Sequence, residues 1–138
     1  MFANNQYLGL FEAPLYNLED GTEMFKDNTA LEEFTIDMPN LLIGDRMFEG
    51  CSSLKHFAGY LGSVTSAVDM FKGCKCTPES LLIIFDTINK EVIGDLGEVG
   101  LDGSIPEEYY INTLGVSSLQ ELCNLFSSSG WVLTLKFN

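Results

Sequence analysis

The sequence predicts an α/β fold of the solenoid kind, in which 23-residue repeats stack and each adds a short strand to a parallel sheet, closed by a C-terminal helix-and-strand cap. Three observations lead there. The dipeptide Met-Phe recurs at positions 1, 24, 47 and 70, each 23 residues after the last, so that four of the five methionines open a period. Turn residues such as Asp20-Gly21, Pro39-Asn40 and Gly62-Ser63 fall inside every period and would break an amphipathic helix before its third turn. After Cys76 the pattern stops, and Thr77-Pro78-Glu79-Ser80 has the form of a helix start.

Within the period the places agree with one another. The eighth holds Leu8, Leu31 and Leu54; the eleventh Phe11, Phe34 and Phe57; the fifteenth Leu15, Met38 and Leu61; the eighteenth Leu18, Leu41 and Val64. The fifth holds Asn5, Asn28, Cys51 and Cys74. A 23-residue period with an Asn/Cys place falls within the pattern of leucine-rich repeats. Residues 1–76 are therefore read as three full repeats and the start of a fourth, and residues 77–138 as the cap. A single repeat buries too little apolar surface to offset the entropy of ordering its backbone, so neighbours must share one core.

In the cap, Thr77 is placed as an N-cap with Pro78 in the first turn and Glu79 facing the helix dipole. Leu81, Leu82, Ile84, Phe85 and Ile88 give that helix an apolar stripe to about residue 89, suited to covering the open end of the repeat core. Residues 94–103 carry Leu96, Val99 and Leu101 among glycines and read as an irregular strand. Ser117 or Ser118 caps a second helix bearing Leu119, Leu122, Cys123 and Phe126, which ends at Gly130. A last strand alternates Trp131, Leu133, Leu135 and Phe137 inward against Val132, Thr134 and Lys136.

The 138 residues suffice for one core, and 46% apolar content with mean hydropathy +0.12 argues for a folded chain. With 20 acidic against 7 basic residues the formal net charge is -13, which disfavours nucleic acid and anionic membranes as partners. No apolar run is long enough to span a bilayer, and the first residues lack the form of a signal peptide. A role outside a cell then implies another export route, or that these residues are part of a longer chain.

Cys51 and Cys74 share a place on adjacent repeats, with Cys76 two residues on. A hydrogen-bonded Asn/Cys ladder, a disulfide and a metal site are all compatible with that spacing. The ladder is favoured, because Asn5 and Asn28 hold the same place and Cys74-Lys75-Cys76 is not a zinc spacing. His56 is the sole histidine, and no nucleophile elbow, P-loop or His-Glu-x-x-His string occurs, so no catalytic residues, metal or cofactor are assigned. Glu19-Asp20, Asp95 and Asp102 lack calcium-loop spacing and read as solvated turns.

If Leu54 and Phe57 point inward, the places between and after them line the concave sheet. These are Leu10, Glu12 and Pro14, then Glu33, Thr35 and Asp37, then His56, Ala58 and Tyr60. Glu12, Glu33, Thr35, Asp37, His56 and Tyr60 are the candidate ligand-binding residues, offering carboxylates and a ring to a basic protein surface or a stacked sugar. Met1, Phe2, Leu8 and Phe11 form an uncapped first repeat and a candidate interface for an upstream domain or a second copy.

The stretch "MFEGCSSLKHFAGYL", followed after one period by "MFKGCKCTPESLL", resembles the BspA-like leucine-rich repeats of bacterial surface antigens and of phages of gut bacteria. The Thr-Pro-Glu-Ser helix start and the terminal "GWVLTLKFN" are similar to the end cap of such proteins. The resemblance implies a non-enzymatic recognition, adhesion or assembly module at a virion or bacterial surface, binding a protein or glycan. Two alternatives remain open: a carbohydrate-active accessory domain or enzyme, and a purely structural subunit docking through its first repeat.

Overall fold

The computed structural model describes residues 2–138 and is a mixed α/β fold of two small parallel sheets and three helices. Strands β1 (Glu33–Phe34) and β2 (His56–Phe57) pair in parallel, Glu33 beside His56 and Phe34 beside Phe57. Helix α1 (Pro78–Thr87) follows, then β3 (Gly94–Leu101), α2 (Glu107–Leu114), α3 (Leu119–Ser128) and β4 (Trp131–Phe137), the last pairing in parallel with β3. Isolated parallel bridges join Asp20 to Ile43, Ile43 to Ser66, and Cys76 to Leu101.

Before α1 the chain is short on formal strand, and its backbone groups are met across one sequence period. The amides of Phe2, Phe25 and Phe48 donate to the carbonyls of Met24, Met47 and Met70, each at 2.9 Å. One turn on, Asn4, Asp27 and Gly50 donate to Lys26, Glu49 and Lys72 at 2.7 to 2.8 Å. Left-handed backbone recurs with the same spacing, at Asn4, Asp27, Gly50 and Gly73 and again at Glu23, Arg46 and Asp69. Gly, Asn and Asp tolerate that conformation best, which accounts for the first series.

The side chains follow the backbone. Phe2, Phe25, Phe48 and Phe71 stack ring on ring with centroids 5.5, 5.5 and 5.8 Å apart. Phe11, Phe34 and Phe57 make a second column at 6.1 and 6.0 Å, and the columns meet edge to face, as aromatic quadrupoles prefer. The expected core places Leu31, Leu54, Met38, Leu61, Leu41 and Val64 are fully buried. Their first-period counterparts Leu8, Leu15 and Leu18 are only partly buried.

Beside the rings runs the Asn/Cys ladder. Asn28 Nδ2 donates to the carbonyls of Phe2 and Phe25 at 2.8 and 2.6 Å. The Cys51 thiol donates to Phe25 O at 3.1 Å and the Cys74 thiol to Phe48 O at 3.2 Å. All four cysteines are free thiols. Burial pushes Cys51 and Cys76 up to about 12 and raises Cys74 as well, so these three stay protonated and inert.

Helix α1 begins as expected, with Thr77 Oγ1 accepting the Ser80 amide at 3.3 Å and Pro78 in the first turn. Ser80 Oγ accepts the Phe57 amide at 2.9 Å and donates to the Lys55 carbonyl at 2.8 Å. One hydroxyl thus meets backbone groups on the edge of β2 that a further strand would otherwise pair. Strand β3 takes the neighbouring line, with Asp69 donating to Leu96 O and Cys76 to Gly100 O. Gly100 is required there because a Cβ would collide with the Cys74 carbonyl.

The structure corrects the expected cap in three places. Helix α2 was not expected, although Pro106, the acidic pair Glu107 and Glu108, and the left-handed Gly115 bracket it. Its one fully buried residue is Tyr110, too little for an apolar stripe to show. Phe137, expected inward, is 38% exposed, its ring edge to face with Tyr110 at 5.6 Å. Asp102 is not a solvated turn residue but is 4% exposed, enclosed by Ser104, Tyr110 and Lys55. Leu96, Val99, Leu122, Phe126 and Trp131 are buried as expected, and Trp131 Nε1 donates to Asn89 O at 2.8 Å.

Candidate functional site

The parallel register of β1 and β2 sets which exposed residues become neighbours. Because Phe34 and Phe57 point into the core, Glu33 and His56 stand side by side facing solvent, with Thr35 and Ala58 just beyond them. Farther along, the Tyr60 amide donates to Asp37 Oδ1 at 3.2 Å. Glu12, Leu10 and Pro14 are exposed one period earlier.

Two pockets divide this face. Asp37 and Tyr60 open onto a shallow one of about 370 Å³ together with Tyr16, Pro39, Ala58 and Thr87. Tyr16 and Tyr60 are 65% and 46% exposed, so two aromatic faces reach solvent around one carboxylate. His56 opens onto a second pocket of about 290 Å³, lined also by Glu32, Ser52, Ser53, Lys55 and Lys75. Glu12, Glu33 and Thr35 line neither pocket. The face expected from the sequence thus carries two pockets, with His56 lining one and Asp37 and Tyr60 the other.

The structure adds Tyr16, Pro39 and Thr87 to the first site. Tyr16 had a legible signal, an aromatic residue at a place adjoining Leu15 where the core already has its side chain. Thr87 had none, because it arrives from the far end of α1. Asn40 Nδ2 donates to the Tyr16 carbonyl at 2.6 Å and Ser63 Oγ to the Pro39 carbonyl at 2.6 Å, which hold the turns behind the pocket.

No protein-family model, no curated protein and no solved structure matches this chain.

The expected interface at the first period is partly altered. Phe2 and Leu8 are half-buried, Phe11 is only 8% exposed, and Met1 lies outside the described residues. What is open is a broader apolar groove of about 440 Å³, lined by Phe2, Phe11, Leu15, Leu18, Met24 and the chain between them. Leu8 is not among its lining residues. Among the described residues no group of three or more His, Cys, Asp or Glu side chains is placed to hold a metal ion. Nor, among them, is any helix long and apolar enough to cross a membrane.

Proposed function

We propose that the chain is a short leucine-rich-repeat solenoid of the BspA-like kind and that it works as a non-catalytic recognition module at a virion or bacterial surface. The solenoid is supported by the 23-residue spacing of the stacked phenylalanines, the Asn/Cys ladder and the backbone hydrogen bonds. The recognition role rests on one observation: the exposed Tyr16 and Tyr60 line a shallow pocket together with Asp37. Exposed rings beside a carboxylate suit a sugar, whose C–H face stacks while its hydroxyls donate to the acid. A basic protein loop offers similar chemistry and is the other partner class.

The carbohydrate-active alternative fares less well at this pocket. Glycosidases use two carboxyl groups flanking the bond, and Asp37 is the one acid among the described residues that line it. The structural alternative has an observation of its own, the apolar groove at Phe2, Phe11, Leu15, Leu18 and Met24, which a neighbouring subunit or an upstream domain would cover.

Binding of the wild type to an array of immobilised glycans, beside Tyr16→Ala, Asp37→Ala and Tyr60→Ala, tests the reading. Each replacement should weaken the retained glycan by several-fold, the scale of an aromatic or charge-assisted contact. Binding that survives all three, with concentration-dependent association in light scattering, would move the role to the apolar groove.

A further inference from the structure

The second pocket gathers two lysines and the sole histidine of an acidic chain. We propose that the pocket bounded by Ser52, Ser53, Lys55, His56 and Lys75 is an oxyanion site that takes a carboxylate, sulfate or phosphate group. The inference stands whether or not the tyrosine pocket binds a glycan.

The chain carries 7 Lys and Arg and 1 His against 20 acids, yet Lys55, Lys75 and His56 line this one cavity. The fold brings them together. The Lys75 amide donates to the Leu54 carbonyl at 2.8 Å and the Lys55 amide to the Glu32 carbonyl at 3.0 Å, so segments from successive periods lie side by side. Ser52 and Lys75 occupy the same place of the 23-residue period.

Outside the pocket, Lys26 pairs with Glu23 and Glu49 and Arg46 with Glu23, while Lys72, Lys90 and Lys136 form no ion pair within 4.0 Å among the described residues. Lys75 is half-buried and, among the described residues, forms no ion pair within 4.0 Å. Asp102 and Glu32 are its nearby carboxylates, and neither comes within 4.0 Å of it, so a partly desolvated ammonium has room for an incoming anion. Lys55 pairs with Asp102 Oδ2 at 3.8 Å while its side chain stays 46% exposed. Among the described residues neither Ser52 nor Ser53 uses its hydroxyl in a hydrogen bond, so both are available as donors. Glu32 is the one carboxylate lining the pocket; it lowers anion affinity and would accept a hydroxyl from a ligand bearing one.

Two-dimensional NMR at constant ionic strength provides the test, titrating the protein with sodium sulfate, sodium phosphate or sodium glucuronate, with glucose as the neutral control. The expected result is saturable shifts at the amides of Ser52, Ser53, His56 and Lys75. Lys75→Met and Ser52→Ala should each weaken binding, the former roughly tenfold, while Glu32→Gln tightens it and Lys72→Met, on an exposed residue, leaves it unchanged. Spectra unchanged away from the pocket show that each variant is folded. Tighter binding of glucuronate than of either inorganic anion identifies a sugar acid as the ligand, and the reverse order identifies a free anion or an ester of one. Shifts that do not saturate, that spread equally to Lys26, Lys90 and Lys136, or that persist in Lys75→Met overturn the proposal.

Discussion

Asp102 illustrates how a residue is read wrongly when some of the neighbours that enclose it are far away in sequence. Burial raises its pKa, but the amide and hydroxyl of Ser104, with Lys55 and Lys75, hold the carboxyl below its ordinary value. Tyr110 adds rigidity by accepting the Asp102 amide at 3.0 Å and donating to Cys76 O at 2.5 Å. Ser104 and Tyr110 lie two and eight residues on, but Lys55, Lys75 and Cys76, which complete the enclosure, come from 26 or more residues away and leave no signal around Asp102. A carboxyl held low in the native state stabilises it above the unfolded value, and that contribution is lost as the pH falls through the native value. Stability measured by urea unfolding should therefore decline from about pH 5 downward. Asp102→Asn should flatten that decline and be less stable at neutral pH by about 1 to 3 kcal/mol. An equal acid slope in the variant would assign the decline to other carboxyls. The Asn/Cys ladder, by contrast, was legible, because one place alternating between two small donors states its chemistry in the sequence. What it hid is that Asn28 Oδ1, buried among these groups, has no hydrogen-bond partner among the described residues.

At the scale of elements, the sequence marked positions better than secondary structure. The inward places of each period were legible because large apolar side chains occupy them repeatedly, yet only Glu33–Phe34 and His56–Phe57 become strands. Helix α1 was legible through its Thr-Pro start, whereas α2 has clear ends but a single buried residue to mark its face. The phenylalanine columns run through the inter-period packing, and their ends differ from their middle. Phe48 is fully buried between Phe25 and Phe71, while Phe2 is half-buried with a ring on one side of its column. Phe48→Ala should cost about 3 to 5 kcal/mol in urea unfolding, and Phe2→Ala well under half of that. Equal losses would mean that the columns do not pack as one graded stack.

On the scale of the whole molecule, one cluster of buried residues runs from Phe11 to Leu133, crossing the point after residue 76 where the sequence pattern stops. The cap is thus continuous with what precedes it, and the two pockets sit on a face that this core holds rigid. The division of that face was not legible, because it depends on where α1 ends and on which lysines the stacking brings together. The central claim is that segments 23 residues apart form a stack sharing one core. Native-state hydrogen exchange tests it most directly. The amides of Phe25, Phe48 and Gly50, bonded one period ahead to Met47, Met70 and Lys72, should exchange slowly and with a common opening free energy. Those of Phe2 and Asn4, in the first period where the core side chains are only partly buried, should exchange faster. Exchange of the inner amides as fast as those of Phe2 and Asn4, each with its own free energy, would contradict the shared core and with it the rigid face on which both sites depend.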